Sequence, residues 1–273
     1  GDYVPRLVNV IVPDTDLVDA PFFQNRRVPY TQQGRREVKR WWARQRLGLS
    51  LYLTHGHNWR RTIPASQFDE HPDWFPERGG VRVPPTGRYK LCTTNPGLVR
   101  AFADATIAYF DEHPQSTCYS LSPSDSAGYC ECAECSALYE TDPNGNRSVT
   151  PAILTFYNDV ARLVARKYPD KLLAGYVYAA YVFPPKEAIR LEPNVFLAWA
   201  PSFDYGYTLF RPRLQRQWEE LLAQWTQVTS NNSYNDLPTH ILTESGALIP
   251  PGLKILSFVY PRLKAANVTG VSV

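Results

Sequence analysis

Short apolar segments that read as strands recur along this chain, and helical patterns separate most of them. The eight candidate strands are Phe22–Tyr30, Leu49–His55, Tyr89–Thr94, Thr117–Leu121, Lys171–Tyr181, Val195–Ala200, Thr239–Thr243 and Val268–Val273. Amphipathic helices are predicted over Gln32–Leu47, Leu98–His113, Ile153–Tyr168, Leu214–Val228 and Leu253–Ala266. Phe156, Val160, Leu163 and Val164 show the pattern, since three- and four-residue steps place them on one helical face. Strands alternating with helices favour parallel pairing, because a parallel partner can be reached only by a long crossover. Eight such units make a (β/α)8 TIM-like barrel the first expectation for this α/β chain, with a doubly wound open sheet as the second. No Gly-x-Gly-x-x-Gly follows a strand, so dinucleotide binding has no local support. Residues 1–21 read as an arm or linker and residues 22–273 as the barrel domain, which on this reading lacks its last helix.

Composition narrows the partners. The net charge of +3, from 29 Lys+Arg against 26 Asp+Glu, is too balanced to argue for nucleic acid or an anionic membrane. No stretch reaches the ~20 apolar residues of a membrane span. No signal peptide is present in the chain and methionine is absent even at its start, so a processed chain or a fragment is expected. The 7 Trp, 17 Tyr and 12 Phe supply both core and flat apolar faces on which sugar rings stack.

In barrels of this kind the active site forms at the carboxyl ends of the strands. Polar and aromatic residues gather at those predicted ends: His55, His57, Asn58 and Trp59 after the second, Cys92 and Asn95 after the third, and Asp125 after the fourth. Tyr178 follows in the fifth, Trp199 and Asp204 at the sixth, and Glu244 after the seventh. Glycoside hydrolysis needs two carboxylates flanking the scissile bond, ~5–5.5 Å apart for retention and ~6.5–9.5 Å apart for inversion. Asp125 and Glu244 are the candidate catalytic pair. His55, His57, Asn58, Asn95, Tyr178, Trp199 and Asp204 are candidates to line a sugar site, with Trp59 and Trp74 as stacking platforms.

A second chemistry lies five residues further on. Cys130, Cys132 and Cys135 form C-x-C-x-x-C, and Cys92 is the preferred fourth member. Four thiolates suit a structural zinc, while a disulfide or free thiols are the alternatives. No other cofactor is required. The function classes are therefore a glycoside-hydrolase-like protein, a carbohydrate-binding barrel without turnover, and a metal-binding protein or metal-dependent hydrolase built on the cysteine loop.

The chain also resembles a bacterial family described as domain of unknown function 4838. The resemblance rests on Gly56-His-Asn-Trp59, His71-Pro-Asp-Trp-Phe75, Leu91-Cys-Thr-Thr-Asn-Pro96, Ser120-Leu-Ser-Pro-Ser-Asp125 and Gly128-Tyr-Cys-Glu-Cys-Ala-Glu-Cys135, with weaker echoes at Tyr168-Pro-Asp-Lys171 and 263–270. It runs from about Val28 onward. It implies a glycosidase-like barrel, a carbohydrate partner and an exported setting, periplasmic or extracellular. Family members often follow a hexosaminidase-like domain, and the resemblance assigns no activity.

Overall fold

The computed structural model describes residues 9, 11, 14, 16, 18–28, 31, 34–49, 51–201, 209–235 and 253–272. Its first half contains β1 (Asn25–Arg27), α1 (Arg36–Arg44), β2 (Gly48–Leu49), α2 (Trp59–Thr62), β3 (Glu77–Arg78), β4 (Val81–Arg82), α3 (Pro96–Glu112) and β5 (Cys118–Ser120). Next come α4 (Ala133–Ala137), β6 (Glu140–Thr141), β7 (Arg147–Ser148), α5 (Thr150–Ala165) and β8 (Leu172–Tyr178). The chain then forms β9 (Val195–Ala200), α6 (Pro212–Val228), β10 (Asn232–Asn235), α7 (Leu253–Ala265) and β11 (Gly270–Ser272). No helix among the described residues is long and apolar enough to cross a membrane.

The central sheet has the order β2-β1-β11-β10-β9-β8-β5. Six of its strands pair in parallel and curl into a half-barrel, while β2 is antiparallel to β1 at one edge. Registered neighbours share a face, so the sheet has two distinct surfaces. Leu173, Val177, Val195, Leu197, Trp199, Tyr234 and Val271 join the main core with residues of α3, α5, α6 and α7. Gly175 shows how close α5 comes, for a Cβ there would sit 2.3 Å from the Tyr157 ring. The other face carries small or polar residues in register, namely Asn25, Gly270, Ser233, Ala198 and Tyr176. A smaller cluster of Leu53, Cys118, Ala174 and Phe196 fills its amino-terminal end.

Two strand predictions change and one strand is added. Leu49–His55 contributes only Leu49 to the ladder, beside Gly48 in β2. Beyond it the Leu51 amide bonds Gln24 O, but the carbonyls of Thr54, His55 and Gly56 accept from the side chains of Cys118, Ser122 and Ser120. Side chains thus stand where backbone pairing is expected. Tyr89–Thr94 forms no ladder either, since the Cys92 amide bonds the loop carbonyl of Trp74 at 2.8 Å. A further strand, absent from the sequence reading, forms at Asn232–Asn235, whose polar sequence hides its full burial. The predicted strand Thr239–Thr243, with Asp204 and Glu244, lies outside the described residues.

Candidate functional site

The carboxyl ends of β5 and β8 lie side by side, because Ser120 registers with Ala174 and the Ser122 hydroxyl accepts from the Tyr176 amide at 2.9 Å. That places the loop after β5, which carries Asp125, against Tyr178. One Asp125 carboxylate oxygen accepts from Tyr178 Oη at 3.4 Å and the other from Arg88 at 3.2 Å. The ion pair is open to solvent, with the Arg88 and Asp125 side chains 65% and 43% exposed.

Beneath this rim the site turns dry. Lys90 is buried, donates to Ser124 O at 2.5 Å, and its ammonium stands 4.2 Å from the centre of the Tyr129 ring. Burial pushes its pKa down to about 7, against the opposing pull of Asp125. His57 Nδ1 lies 2.5 Å from Pro123 O. A carbonyl only accepts, so Nδ1 carries a proton, and Nε2 is the ring nitrogen left for a ligand. The rings of His55 and His57 pack on Tyr176, at 4.9 and 5.2 Å between centres. Burial pushes His55 down to about 4, and the nearby Arg27 charge adds to it. Three buried polar atoms here, His55 Nδ1, Ser124 Oγ and Ser126 Oγ, have no hydrogen-bond partner among the described residues.

A cavity of about 420 Å³ opens beside Asp125, and Arg78, Gly128, Tyr129, Glu131 and Arg147 line it. Gly128 has φ +87° and turns the loop past the Arg78 guanidinium. A larger cavity of about 770 Å³ lies elsewhere, between Glu140, Pro184, Ile189 and the end of α6 at Val228. The smaller one is where two carboxylates, two arginines and the Tyr129 phenol converge.

Other predicted site residues take structural places. Trp59 is fully buried and donates to Leu121 O at 2.7 Å, so it packs against Phe156 and presents no face to a ligand. Trp199 points to the helical side of the sheet, between Trp218 and Tyr234. Asn95 caps α3 by accepting from the Leu98 amide, and Asn58 donates to Ser120 O. Trp74 stacks flat on His71, with ring centres 3.9 Å apart. Alternation alone could not separate these roles, because a strand end reads the same whichever face its side chain takes. Lys90, Arg88 and Tyr129 are residues that sequence reasoning misses. Lys90 and Arg88 flank the start of a segment read as strand, and an isolated basic residue there carries no signal.

The cysteines form a separate centre. Cys92, Cys130, Cys132 and Cys135 are all buried, and their sulfurs lie within 4.8 Å of one another. Cys92 Sγ is 3.7 Å from Cys132 Sγ and 3.9 Å from Cys135 Sγ. No disulfide joins the described cysteines. The Glu77 amide donates to Cys130 Sγ at 3.3 Å, and Thr94 Oγ1 is 3.2 Å from Cys135 Sγ. Hydrogen bonds from Cys130 and Cys92 hold Cys135 far below the usual thiol range, while the bond to Cys135 drives Cys130 far up. At Cys92 the bond to Cys130 favours the thiolate, yet the bond to Cys135 and burial push the thiol up to about 11. Four close cysteines of this kind can bind a metal ion.

Fold and site together define a mixed α/β protein: a curled parallel half-barrel with a polar mouth at its strand ends and a four-cysteine cluster beside it. The chain belongs to the family described as domain of unknown function DUF4838, whose model matches residues 1–258. No curated protein and no solved structure matches it.

Proposed function

We propose that this chain is a glycoside-hydrolase-like protein that takes a carbohydrate at the carboxyl-end mouth of its sheet. The observation that carries the reading is the convergence of Asp125, Tyr178, His57 and Lys90 around buried polar atoms that lack partners among the described residues. A sugar presents hydroxyls that both donate and accept, and it also has flat apolar faces. Asp125 and the Tyr178 hydroxyl oxygen accept, Lys90 donates, His57 offers Nε2, and the rings of Tyr176 and Tyr178 supply apolar surface. On this reading the half-barrel belongs to a full (β/α)8 barrel, and the protein works outside the cytoplasm on a polysaccharide.

Asp125 accepts hydrogen bonds at both oxygens. That suits a carboxylate that binds a hydroxyl or acts as base or nucleophile, and it leaves the proton donor to a second acid. Glu244 remains the candidate for that part. Binding without turnover needs only the mouth, whereas hydrolysis needs the second carboxylate as well. Any metal at the cysteines is structural, because every thiol is buried and available only as a ligand.

The test is Asp125→Asn in the full chain, measured by calorimetric binding and by product release across a panel of neutral and acidic polysaccharides. A glycan that binds the unaltered protein is expected to lose at least tenfold in affinity with the variant. Unchanged binding and turnover on such a glycan would remove Asp125 from the site, and failure of every glycan to bind would overturn the reading.

A further inference from the structure

We propose that Cys92, Cys130, Cys132 and Cys135 hold one zinc ion as a tetrathiolate centre, and that this centre braces the mouth of the sheet. Tetrahedral zinc with Zn–S bonds of ~2.3 Å places its four sulfurs about 3.8 Å apart. The Cys92–Cys132 and Cys92–Cys135 separations of 3.7 and 3.9 Å match that edge. They are nearly twice the ~2.05 Å of a disulfide bond. The protein is therefore already arranged around a sphere of the right size.

The surroundings match as well. Metal thiolates accept hydrogen bonds that fix them and spread their charge. The Glu77 amide and Thr94 hydroxyl stand at Cys130 and Cys135, and an Arg82 nitrogen lies 3.8 Å from Cys130 Sγ. Four thiolates around a divalent ion carry two net negative charges, and Arg82 sits where it offsets part of them. All four cysteines are protein ligands and all are buried, which leaves no position for water. That arrangement marks a structural centre, not a catalytic one.

Three segments meet at the sulfurs. Cys92 brings the 89–94 segment, Cys130 to Cys135 bring α4 and the turn before it, and the β3–β4 hairpin joins by Glu131 N to Glu77 O at 2.7 Å. None of these pairs with the central sheet. Lys90 is two residues from one ligand and Asp125 five from another, so the ion fixes the spacing between them. This inference stands apart from the carbohydrate reading, since metal content and brace stability are read without any sugar.

The experiment uses the full chain, purified without added metal, and measures metal by mass spectrometry. One zinc per chain is expected, released in step with modification of four thiols by an organomercurial. Cobalt substituted for zinc is expected to show thiolate charge-transfer bands and the visible absorption of a tetrahedral ion. Cys132→Ser is expected to lose the zinc. Cys118→Ser is expected to keep it, because Cys118 lies against Thr54 O and outside the cluster. Should Cys132→Ser not fold, the cobalt spectrum of the unaltered chain carries the test. Zinc below a tenth of stoichiometry, a disulfide within the set, or iron in its place would each overturn the centre. For the brace, zinc release is expected to raise hydrogen exchange at least tenfold across residues 122–135 and to leave β8 and β9 unchanged. Equal exchange with and without zinc would overturn that part.

Discussion

The four-cysteine cluster and the Asp125 rim stand five residues apart in sequence, yet they are built on opposite plans. The cluster is closed: four buried sulfurs, each facing another, with amide, hydroxyl and guanidinium donors packed around them. The rim is open: a solvent-exposed ion pair, a phenol, and buried polar atoms below that lack partners among the described residues. A region that closes on itself leaves no room for anything larger than the ion its sulfurs can hold. A region that leaves groups unsatisfied loses stability and keeps the capacity to bind. On the two proposals above, one region serves stability and the other recognition, and three measurements press on that division.

The largest expected effect is acid sensitivity, where both regions contain a titratable group. His55 is buried at the floor of the mouth and its pKa is pushed down to about 4, from an ordinary value near 6.5. The unfolded chain therefore binds a proton between those values that the folded chain refuses, and stability falls as pH drops through this window. The stabilisation is fully present above pH 6.5. Its loss approaches about 3 kcal/mol by pH 4, since a tenfold difference in proton affinity between the folded and unfolded chain is worth about 1.4 kcal/mol. Urea unfolding of the unaltered protein at pH 7 and pH 4.5, beside His55→Asn, reads this directly. The variant is expected to lose most of the slope and keep its thiol content unchanged. A slope identical in both proteins would place acid sensitivity in the cysteine cluster.

The next effect concerns Lys90, which belongs to both regions. Its backbone leads to Cys92, while its ammonium reaches Ser124 O and the Tyr129 ring. Lys90→Met keeps the apolar stem and removes the charge. It leaves the buried Ser124 carbonyl without this donor, at a cost of about 1–3 kcal/mol. Chemical denaturation is expected to show that loss, with the four thiols as protected from modification as before. Exposure of the thiols in the variant would mean that the two regions are one cooperative unit.

These two regions also show how far the sequence can be read. The C-x-C-x-x-C spacing brings three cysteines together at once, and Cys92 is expected beside them from its place at a predicted strand end. That segment forms no strand; Cys92 does join the cluster, on a loop bonded to Trp74. His57, Tyr178 and Asp125 are legible because each closes a predicted strand. Trp59 and Trp199 are placed at the same ends, and their packing into the core depends on which way a side chain leaves the backbone. Asn232–Asn235 is illegible for a physical reason. The half-barrel's inner face takes small and polar residues, so its strands need not look apolar. Lys90 and Arg88 become visible only when distant segments are brought against the loop after β5.

The smallest expected effect falls on Asp125 itself, and its size is the sharpest statement of the comparison. Its pair with Arg88 spans 3.2 Å, but both side chains are exposed and water competes for each charge. Exposed pairs of this kind contribute about 0–1 kcal/mol. Asp125→Asn keeps the shape, an acceptor for Tyr178 and the loop backbone, so its unfolding free energy is expected to fall by less than about 1 kcal/mol. Differential scanning calorimetry at low and moderate salt tests this, and the small difference is expected to shrink further as salt screens the pair. A recognition group is one the fold can do without. If Asp125→Asn costs as much as Lys90→Met, the rim is part of the brace, and the separation between a stabilising cluster and a binding mouth fails at its centre.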